Sequence, residues 1–500
     1  MLIRQSVNSF IRTTENYGYI INQLTRHDRV YNETGAIFLN QIKRTPKELD
    51  QIVSDLLLCF QGVSAEELRL DFLQFVYDLA DAEFIVMGNS IEELDIKDKT
   101  FTYSVENPKT LVSDFTQTTK EQVGENTQDF FLEEVQGRPM ISNLQLELSS
   151  RCNERCIHCY IPNGKKNHGI DMPFERFKIL VDEFTEMGGI NITLSGGEAL
   201  LHKDFAKMLY YCREKDLKIS VLSNLINLTD EHIKAMKDTN VSIVQVSLYS
   251  MNPEIHDKIT TIKGSFVKSK TAIERLIKHD IPVQISCPLM KANKDGYREV
   301  LEYAQSLKIK AQTDYIMMAQ ANKDTSNLAN RLSLEETETV INEILDYDLD
   351  YLKEFERVIP KDIEMQRDRE RYLAQPICGV GYDNCCVTAN GDVYPCAGWQ
   401  DYILGNVYEQ SLKEIWETSE KIKNLRKLTN ASFPQCIDCE ANQYCAMCLV
   451  RNYNENEGDM MKINKHFCEV AFLNKRLVEQ RFGEKLKEVH ELYSPIQNNE

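Results

Sequence analysis

Cys152, Cys156 and Cys159, in the spacing Cys-x3-Cys-x2-Cys, follow directly on the run Leu144-Gln145-Leu146-Glu147-Leu148. A strand that ends in a loop presenting three thiolates can hold three irons of a four-iron cluster, one Cys short of a complete ligand set. The fourth iron keeps a seat for something that reacts. A zinc site of these three thiolates completed by His158 is the plainer alternative. His158, however, lies inside the last Cys-x2-Cys step, which turns its ring away from a shared metal.

Further along stands Leu194-Ser195-Gly196-Gly197-Glu198, at the end of the next predicted strand. Backbone approaches a ligand closely only where no Cβ intervenes, which is what paired glycines offer. Together the Cys triplet with Tyr160 behind it and this Gly-Gly-Glu segment resemble the signature of the radical S-adenosylmethionine (SAM) enzymes. The resemblance implies that SAM chelates the open iron and is cleaved reductively to a 5′-deoxyadenosyl radical, which abstracts hydrogen from a substrate. It implies that His158, before the third Cys, packs on adenine and that Gly196, Gly197 and Glu198 hold the methionine amino group. Asn224 and Ser247, at two further strand ends, resemble SAM contacts. An Arg common in this family after the latter strand is missing from Asp257–Gly264, which leaves Lys258 or Lys263 as substitutes.

The cysteines cluster again near the C-terminus, as Cys378-x12-Gly391-x4-Cys396, then Cys436-x2-Cys439-x5-Cys445-x2-Cys448, then Cys468. On spacing alone Cys436 to Cys448 reads as a zinc knuckle. The whole series resembles the SPASM extension of radical SAM enzymes, which holds two auxiliary clusters; the last Cys-x2-Cys is one residue shorter than usual. That resemblance assigns Cys378, Cys396 and Cys448 to the first auxiliary cluster; Cys385 or Cys386 lies close enough in sequence to supply a fourth ligand, and if neither does, an iron is free to bind a substrate thiol or backbone nitrogen. Cys436, Cys439, Cys445 and Cys468 fall to the second, giving three [4Fe-4S] clusters in all. Asn390-Gly391 signals a hairpin that aims Cys396 back at the cluster. Cys59, Cys212 and Cys287 read as small buried hydrophobes, and Met317, Met318 and Trp399 as core.

These groups need elements to position them. Predicted strands Leu144–Leu148, Asn191–Ser195, Lys218–Leu222, Ser242–Ser247, Val283–Cys287 and Ala311–Ile316 alternate with helical segments, which implies βαβ units and a parallel sheet. Six such units fit an α/β fold, a partial (β/α)6 barrel, with the chemistry at the C-terminal strand ends.

Residues 9–88 are organised differently, with strands at Phe10–Arg12, Tyr17–Leu24 and Arg29–Tyr31 and a helix capped by Asn32. A helix over Leu49–Phe60 is expected to start from Thr45-Pro46, and a capping box at Ser64 and Glu67 opens another. This order resembles the winged-helix, PqqD-like elements that bind precursor-peptide leaders, with Asp28–Tyr31 and the helix from Ser64 as the groove. The expected divisions are residues 1–89 for leader recognition, 90–140 a linker, 141–345 the barrel, 346–377 a helical bridge, 378–470 the SPASM region and 471–500 a helical tail.

The 500 residues include 15 Cys and carry a net charge of −19. That balance argues against nucleic acid. Neither a signal-peptide layout nor an apolar run of about 18 residues is found, so no membrane is expected. A cytoplasmic chain keeps its cysteines for metal rather than for disulfides. The combined expectation is a maturase that binds a precursor peptide by its leader, takes electrons from a flavodoxin or ferredoxin, and installs a thioether or C–C crosslink. The alternatives are a formylglycine-forming enzyme of the anaerobic sulfatase-maturing type, a peptide epimerase, or a non-catalytic metal-bound chaperone. The first of these places an Asp base directly after the Cys of the Gly-x4-Cys segment, where this chain has Ala397.

Overall fold

The computed structural model describes residues 1–98, 140–162, 164, 169–347, 369–445 and 447–493. The expected linker and helical bridge lie largely outside these residues.

Six parallel strands, β7 (Asn143–Glu147), β8 (Asn191–Ser195), β9 (Lys218–Ser223), β10 (Ile243–Ser247), β11 (Val283–Pro288) and β12 (Lys310–Asp314), lie side by side in chain order. In β7 to β11 every second residue is apolar. Leu144, Leu146, Ile192, Leu194, Ile219, Val221, Val244 and Val246 are at most 1% exposed and form the core against the covering helices. Burying them supplies most of the driving force, at about 25 cal/mol per Å² of apolar surface. The alternate positions are polar and meet one another: Gln145 Nε2 donates to Ser195 Oγ at 2.9 Å, and Gln284 Nε2 to Gln312 Oε1 at 3.0 Å. A parallel sheet covered on both faces is ordinarily apolar throughout. One polar face marks a lumen that receives something polar.

The covering helices are α4 (Phe174–Glu186), α5 (Phe205–Glu214), α6 (Asp230–Asp238), α7 (Pro253–Thr260), α8 (Ser265–Lys278) and α9 (Tyr297–Ser306), followed by α10 (Leu334–Tyr347). Helix α7 was not anticipated from the sequence. Asn252 caps it through Glu254 N and Pro253 opens it, a standard helix start.

The sheet does not stop at β7. Strand β13 (Asn384–Val387) pairs parallel with it, placing Cys385 opposite Leu144 and Cys386 opposite Gln145. A hairpin through Asn390-Gly391 (Gly391 φ 88°) continues to β14 (Asp392–Tyr394) and β15 (Gly405–Asn406). The cysteine-rich third is thus built onto the barrel's first strand.

In the N-terminal domain, β2 (Ser9–Thr13), β3 (Gly18–Asn22) and β4 (Asp28–Tyr31) form an antiparallel sheet with β4 at its edge. It packs with α1 (Glu33–Asn40), α2 (Leu49–Leu56) and α3 (Ala65–Asp81); the Ser64–Glu67 capping box forms as expected. Thr45-Pro46 does not open α2. Lys47–Glu48 is instead a short strand paired with Ile3 and Leu2 of a strand (Leu2–Gln5) that was not anticipated, and the helix starts at Leu49. The helix also ends at Leu56, so Cys59 falls beyond it and is exposed, a correction to its expected burial. Cys212 and Cys287 are buried, and burial pushes the Cys287 thiol up to about 12.

This domain is fastened to the barrel by polar contacts. Arg12 Nε donates to Gly189 O (2.6 Å) and Arg12 Nη2 to Asp216 O (2.8 Å). Arg44 Nε reaches Asp216 Oδ1 (2.5 Å), and Asn240 Nδ2 reaches Val7 O (3.1 Å). Gly189, Asp216 and Asn240 sit in the turns that precede β8, β9 and β10. The N-terminal domain therefore caps the end of the barrel opposite the cysteine loop.

Candidate active site

The loop from Cys152 to Cys159 leaves the C-terminal end of β7 and is held from all sides. Arg155 N donates to Thr260 O (3.1 Å) and Ile157 N to Ile259 O (3.0 Å), so the last turn of α7 clamps it. Ala321 N binds Tyr160 O at 2.8 Å. Tyr249 Oη lies 3.9 Å from Cys156 Sγ, and the Cys156 thiol donates to Glu154 Oε2 at 3.3 Å. The His158 ring meets Tyr249 edge-on at 4.9 Å. Lys258 and Lys263, on and after α7, are exposed.

The two glycines serve packing. A Cβ on Gly197 would stand 2.3 Å from Arg151 O, and one on Gly196 (φ 147°) 2.5 Å from Ser149 O. Their absence lets Gly197 N bond Ser149 O and Glu198 N bond Arg151 O, both at 2.8 Å. The Gly-Gly-Glu turn is thereby locked onto the root of the cysteine loop. The Glu198 carboxylate is fully buried and accepts from Ser223 Oγ (2.6 Å), Asn224 N (2.8 Å) and Leu200 N (2.9 Å). Burial raises its pKa, and these donors pull it back. Glu198 thus fixes the end of β9, where Asn224 Nδ2 in turn reaches Asn153 Oδ1 of the cysteine loop at 2.6 Å. Ser247 faces the Tyr249 phenol. Cys loop, Gly-Gly-Glu turn, Asn224 and Ser247 all stand at C-terminal strand ends.

The C-terminal thiols fall into two groups. Cys378 is pushed up to about 11 by burial and then by the facing Cys448 and Cys396. Cys445 is likewise pushed to about 11 by burial, then by Cys468, Cys436 and Cys439. Mutual repulsion of this kind requires that each set be close together. Cys448 caps α11 (Leu449–Glu455), and Cys468 lies in the first turn of α12 (Lys465–Tyr493). Among the described residues no three His, Cys, Asp or Glu side chains converge tightly enough to cage a single metal ion. Cluster thiolates bind separate irons and need no such convergence, so the donor set fits iron–sulfur clusters.

Successive strand residues face opposite ways, and this separates the adjacent pair. Cys385 joins the apolar core with Leu144 and Val387. Cys386 faces Glu147 and Cys396. Of the two cysteines that sequence left open, Cys386 is thus the one on the side of Cys396, and Cys385 is turned into the core. Trp399 is fully buried and stacks on Tyr402 at 4.6 Å, consistent with core packing.

Three residues at the site were missed from sequence: Glu147, Tyr249 and Gln400. Gln400 Nε2 donates to Glu147 Oε1 at 2.6 Å, and both side chains are buried. The alternation in Leu144-Gln145-Leu146-Glu147-Leu148 already put Glu147 on the polar face.

Comparison with known proteins agrees with this architecture. Residues 146–320 match the Radical SAM superfamily, residues 378–440 the SPASM iron–sulfur cluster-binding domain, and residues 27–85 coenzyme PQQ synthesis protein D (PqqD). An AdoMet-dependent heme synthase of Methanosarcina barkeri is 27% identical over 61% of this chain and 90% of its own length. The antilisterial bacteriocin subtilosin biosynthesis protein AlbA of Bacillus subtilis is 26% identical over 64% of this chain and 69% of its own. The crystal structure of Streptococcus suis SuiB bound to precursor peptide SuiA shares the fold, with a TM-score of 0.61 at 15% identity, covering 93% of this chain and 99% of that one.

A parallel barrel with a three-cysteine loop at its mouth and thiol groups on its first strand defines an iron–sulfur enzyme that uses SAM. The chain carries a radical SAM domain over residues 146–320. Its PqqD, radical SAM and SPASM domains together are those of a peptide maturase with leader recognition. Among the described residues no helix is long and apolar enough to cross a membrane.

Proposed function

We propose that this chain modifies a ribosomally made precursor peptide by joining a cysteine sulfur to a carbon of the same peptide in a thioether crosslink. The observation that carries this reading is the combination of a peptide-recognition domain on one end of the barrel with two sets of thiols at the other. The leader adds as a strand to the free edge of β4, beside α3, where Tyr31 packs on Phe75 at 5.0 Å. Tethering raises the effective concentration of the reacting segment at the mouth.

In this reading Cys152, Cys156 and Cys159 hold one [4Fe-4S] cluster. His158, Gly196, Gly197, Glu198, Asn224 and Ser247 shape the SAM seat, Glu198 by fixing Asn224 and not by contact. Cys378, Cys396 and Cys448 hold the first auxiliary cluster, with Cys386 in place of Cys385 as the nearest further thiol; Cys436, Cys439, Cys445 and Cys468 hold the second. The bound cluster and SAM supply a 5′-deoxyadenosyl radical that takes a hydrogen atom from the peptide. The protein orients the peptide and keeps water out. The electron donor is a flavodoxin or ferredoxin, and the reaction runs in the cytoplasm. The domains are assigned as residues 1–89, 141–345 and 378–470, with Cys468 on a helix that continues to Tyr493.

The test uses anaerobically reconstituted enzyme, SAM, dithionite and the short Cys-containing peptide encoded beside this chain. The expected product has lost two hydrogens, with one cysteine protected from alkylation, and removing the leader abolishes turnover. A product with every thiol alkylatable, carrying an aldehyde or only an inverted α-carbon, would overturn the thioether reading.

A further inference from the structure

Cys448 and Cys468 belong to different auxiliary sets, yet the helices that carry them are fastened to each other within a turn of both. Asn464, just before α12, accepts from His466 N at 3.1 Å and donates its own N–H to Asn452 Oδ1 of α11 at 3.0 Å. Its carbonyl accepts from Cys468 N at 3.3 Å. Asn452 is buried and its Nδ2 also reaches Met460 O at 3.1 Å, so the connection between α11 and α12 is pinned from inside. At this joint the Arg451 guanidinium lies over the Phe467 ring, with Cζ 4.6 Å from the centroid. Arg451 is three residues past Cys448, the spacing that puts two positions on one helix face, and Phe467 directly precedes Cys468. The cation therefore stands on the seam between the two sets. Arg331 also lies over this ring, at 5.3 Å, but Glu455 answers its charge, with Nη1 3.0 Å from Oε2. Asp314, at the end of β12, faces Arg451. Burial holds the Cys396 and Cys445 thiols up, and the Arg451 charge opposes it at one thiol of each set.

We infer that Arg451 sets the potentials of both auxiliary clusters, its fixed cation holding them ready for the electron that crosslinking leaves over. The inference rests on the crosslinking reading and on its assignment of these thiols to two clusters. In that reaction a peptide C–H and an S–H bond break and a C–S bond forms. The hydrogen atom goes to the 5′-deoxyadenosyl group and the proton to solvent. The remaining electron goes to an auxiliary cluster, which offsets the electron spent in cleaving SAM. Cluster potentials follow the net charge around the sulfurs. A guanidinium stays charged throughout the pH range of a folded protein, so it favours the reduced, more negative state of each cluster beside it. One charge about 10 Å away, at an effective dielectric of about 20, shifts a one-electron equilibrium roughly tenfold. Arg451 thus acts through the clusters and touches no reacting atom.

The experiment is a reductive titration followed by electron paramagnetic resonance. It uses the full-length Cys152/Cys156/Cys159→Ala protein, reconstituted anaerobically, so that only the auxiliary clusters report. Into this background go Arg451→Met, which keeps an apolar stem against Phe467 without the charge, and Arg451→Lys, which keeps the charge. Arg451→Met is expected to make the auxiliary clusters about tenfold harder to reduce, a midpoint ~59 mV lower for one electron, at unchanged iron content. Arg451→Lys is expected to titrate close to the parent. A purely structural role would change iron content and leave the midpoints of loaded protein in place. Unchanged midpoints in iron-loaded Arg451→Met overturn the inference, as do equal shifts in the Met and Lys variants. Should Arg451→Met lose iron, Arg451→Gln is titrated by the same criteria. Should both neutral variants lose iron, Arg451 is structural and the inference falls. A parent protein that takes up no iron overturns the cluster reading itself, a distinguishable outcome.

Discussion

Gly197→Ala is expected to abolish SAM cleavage. The new Cβ would stand 2.3 Å from Arg151 O and 2.7 Å from its carbonyl carbon, and both are backbone atoms that cannot swing aside. Relief requires parting the Gly-Gly-Glu turn from the root of the cysteine loop, which breaks the Gly197 N to Ser149 O and Glu198 N to Arg151 O bonds. Two lost backbone bonds cost about 1 kcal/mol each before any strain is counted. The functional loss is larger than the stability loss, because a displacement of about 1 Å at a site of this kind costs about 100-fold in rate. The check is 5′-deoxyadenosine formation beside thermal unfolding. A folded, iron-loaded Gly197→Ala with wild-type cleavage would show that the close approach is incidental.

Glu455→Ala is expected to release the auxiliary region while leaving the barrel folded. Arg331 and Glu455 form an ion pair with side chains only 11% and 9% exposed, and Arg331 Nη1 reaches Glu455 Oε2 at 3.0 Å. Arg331 also donates to Met317 O (2.9 Å from Nε) and lies over the Phe467 ring at 5.3 Å. The pair thus ties the segment after β12 to α11, which Cys448 caps, and to the residue before Cys468. Removing one partner of a buried pair costs about 3–5 kcal/mol, because the other charge is left uncompensated. Loss of part of the iron on desalting, with the peptide between Cys436 and Cys468 newly open to protease, is the expected result. Full iron retention and an unchanged unfolding midpoint would contradict it.

Much of this architecture was legible in the sequence because it rests on short-range rules. The alternation Leu144 to Leu148, the Ser64–Glu67 capping box and Asn390-Gly391 each specify structure through neighbours a few residues away. The failures involve partners far along the chain. Lys47–Glu48 becomes a strand only because Leu2 and Ile3 lie beside it, a pairing that Thr45-Pro46 outweighs when read locally. The attachment of β13 to β7 pairs Asn384 with Asn143, partners separated by the whole length of the barrel. Without that register the faces of Cys385 and Cys386 cannot be told apart, since a single pleat step exchanges them. Asn252-Pro253 is the exception, a local helix-start signal made of an N-cap and a first-turn Pro. Glu147 was visible on the polar side of its strand, but its tie to Gln400 was not.

The most direct measurement is iron and sulfide content together with reductive SAM cleavage, for wild type beside the Cys152/Cys156/Cys159→Ala variant, both reconstituted anaerobically. Three four-iron clusters predict about twelve irons in the wild type and about eight in the variant, with 5′-deoxyadenosine formed by the wild type alone. Equal iron in the two proteins, zinc in place of iron, or 5′-deoxyadenosine from the variant would contradict the assignment of the radical-generating cluster to these three cysteines.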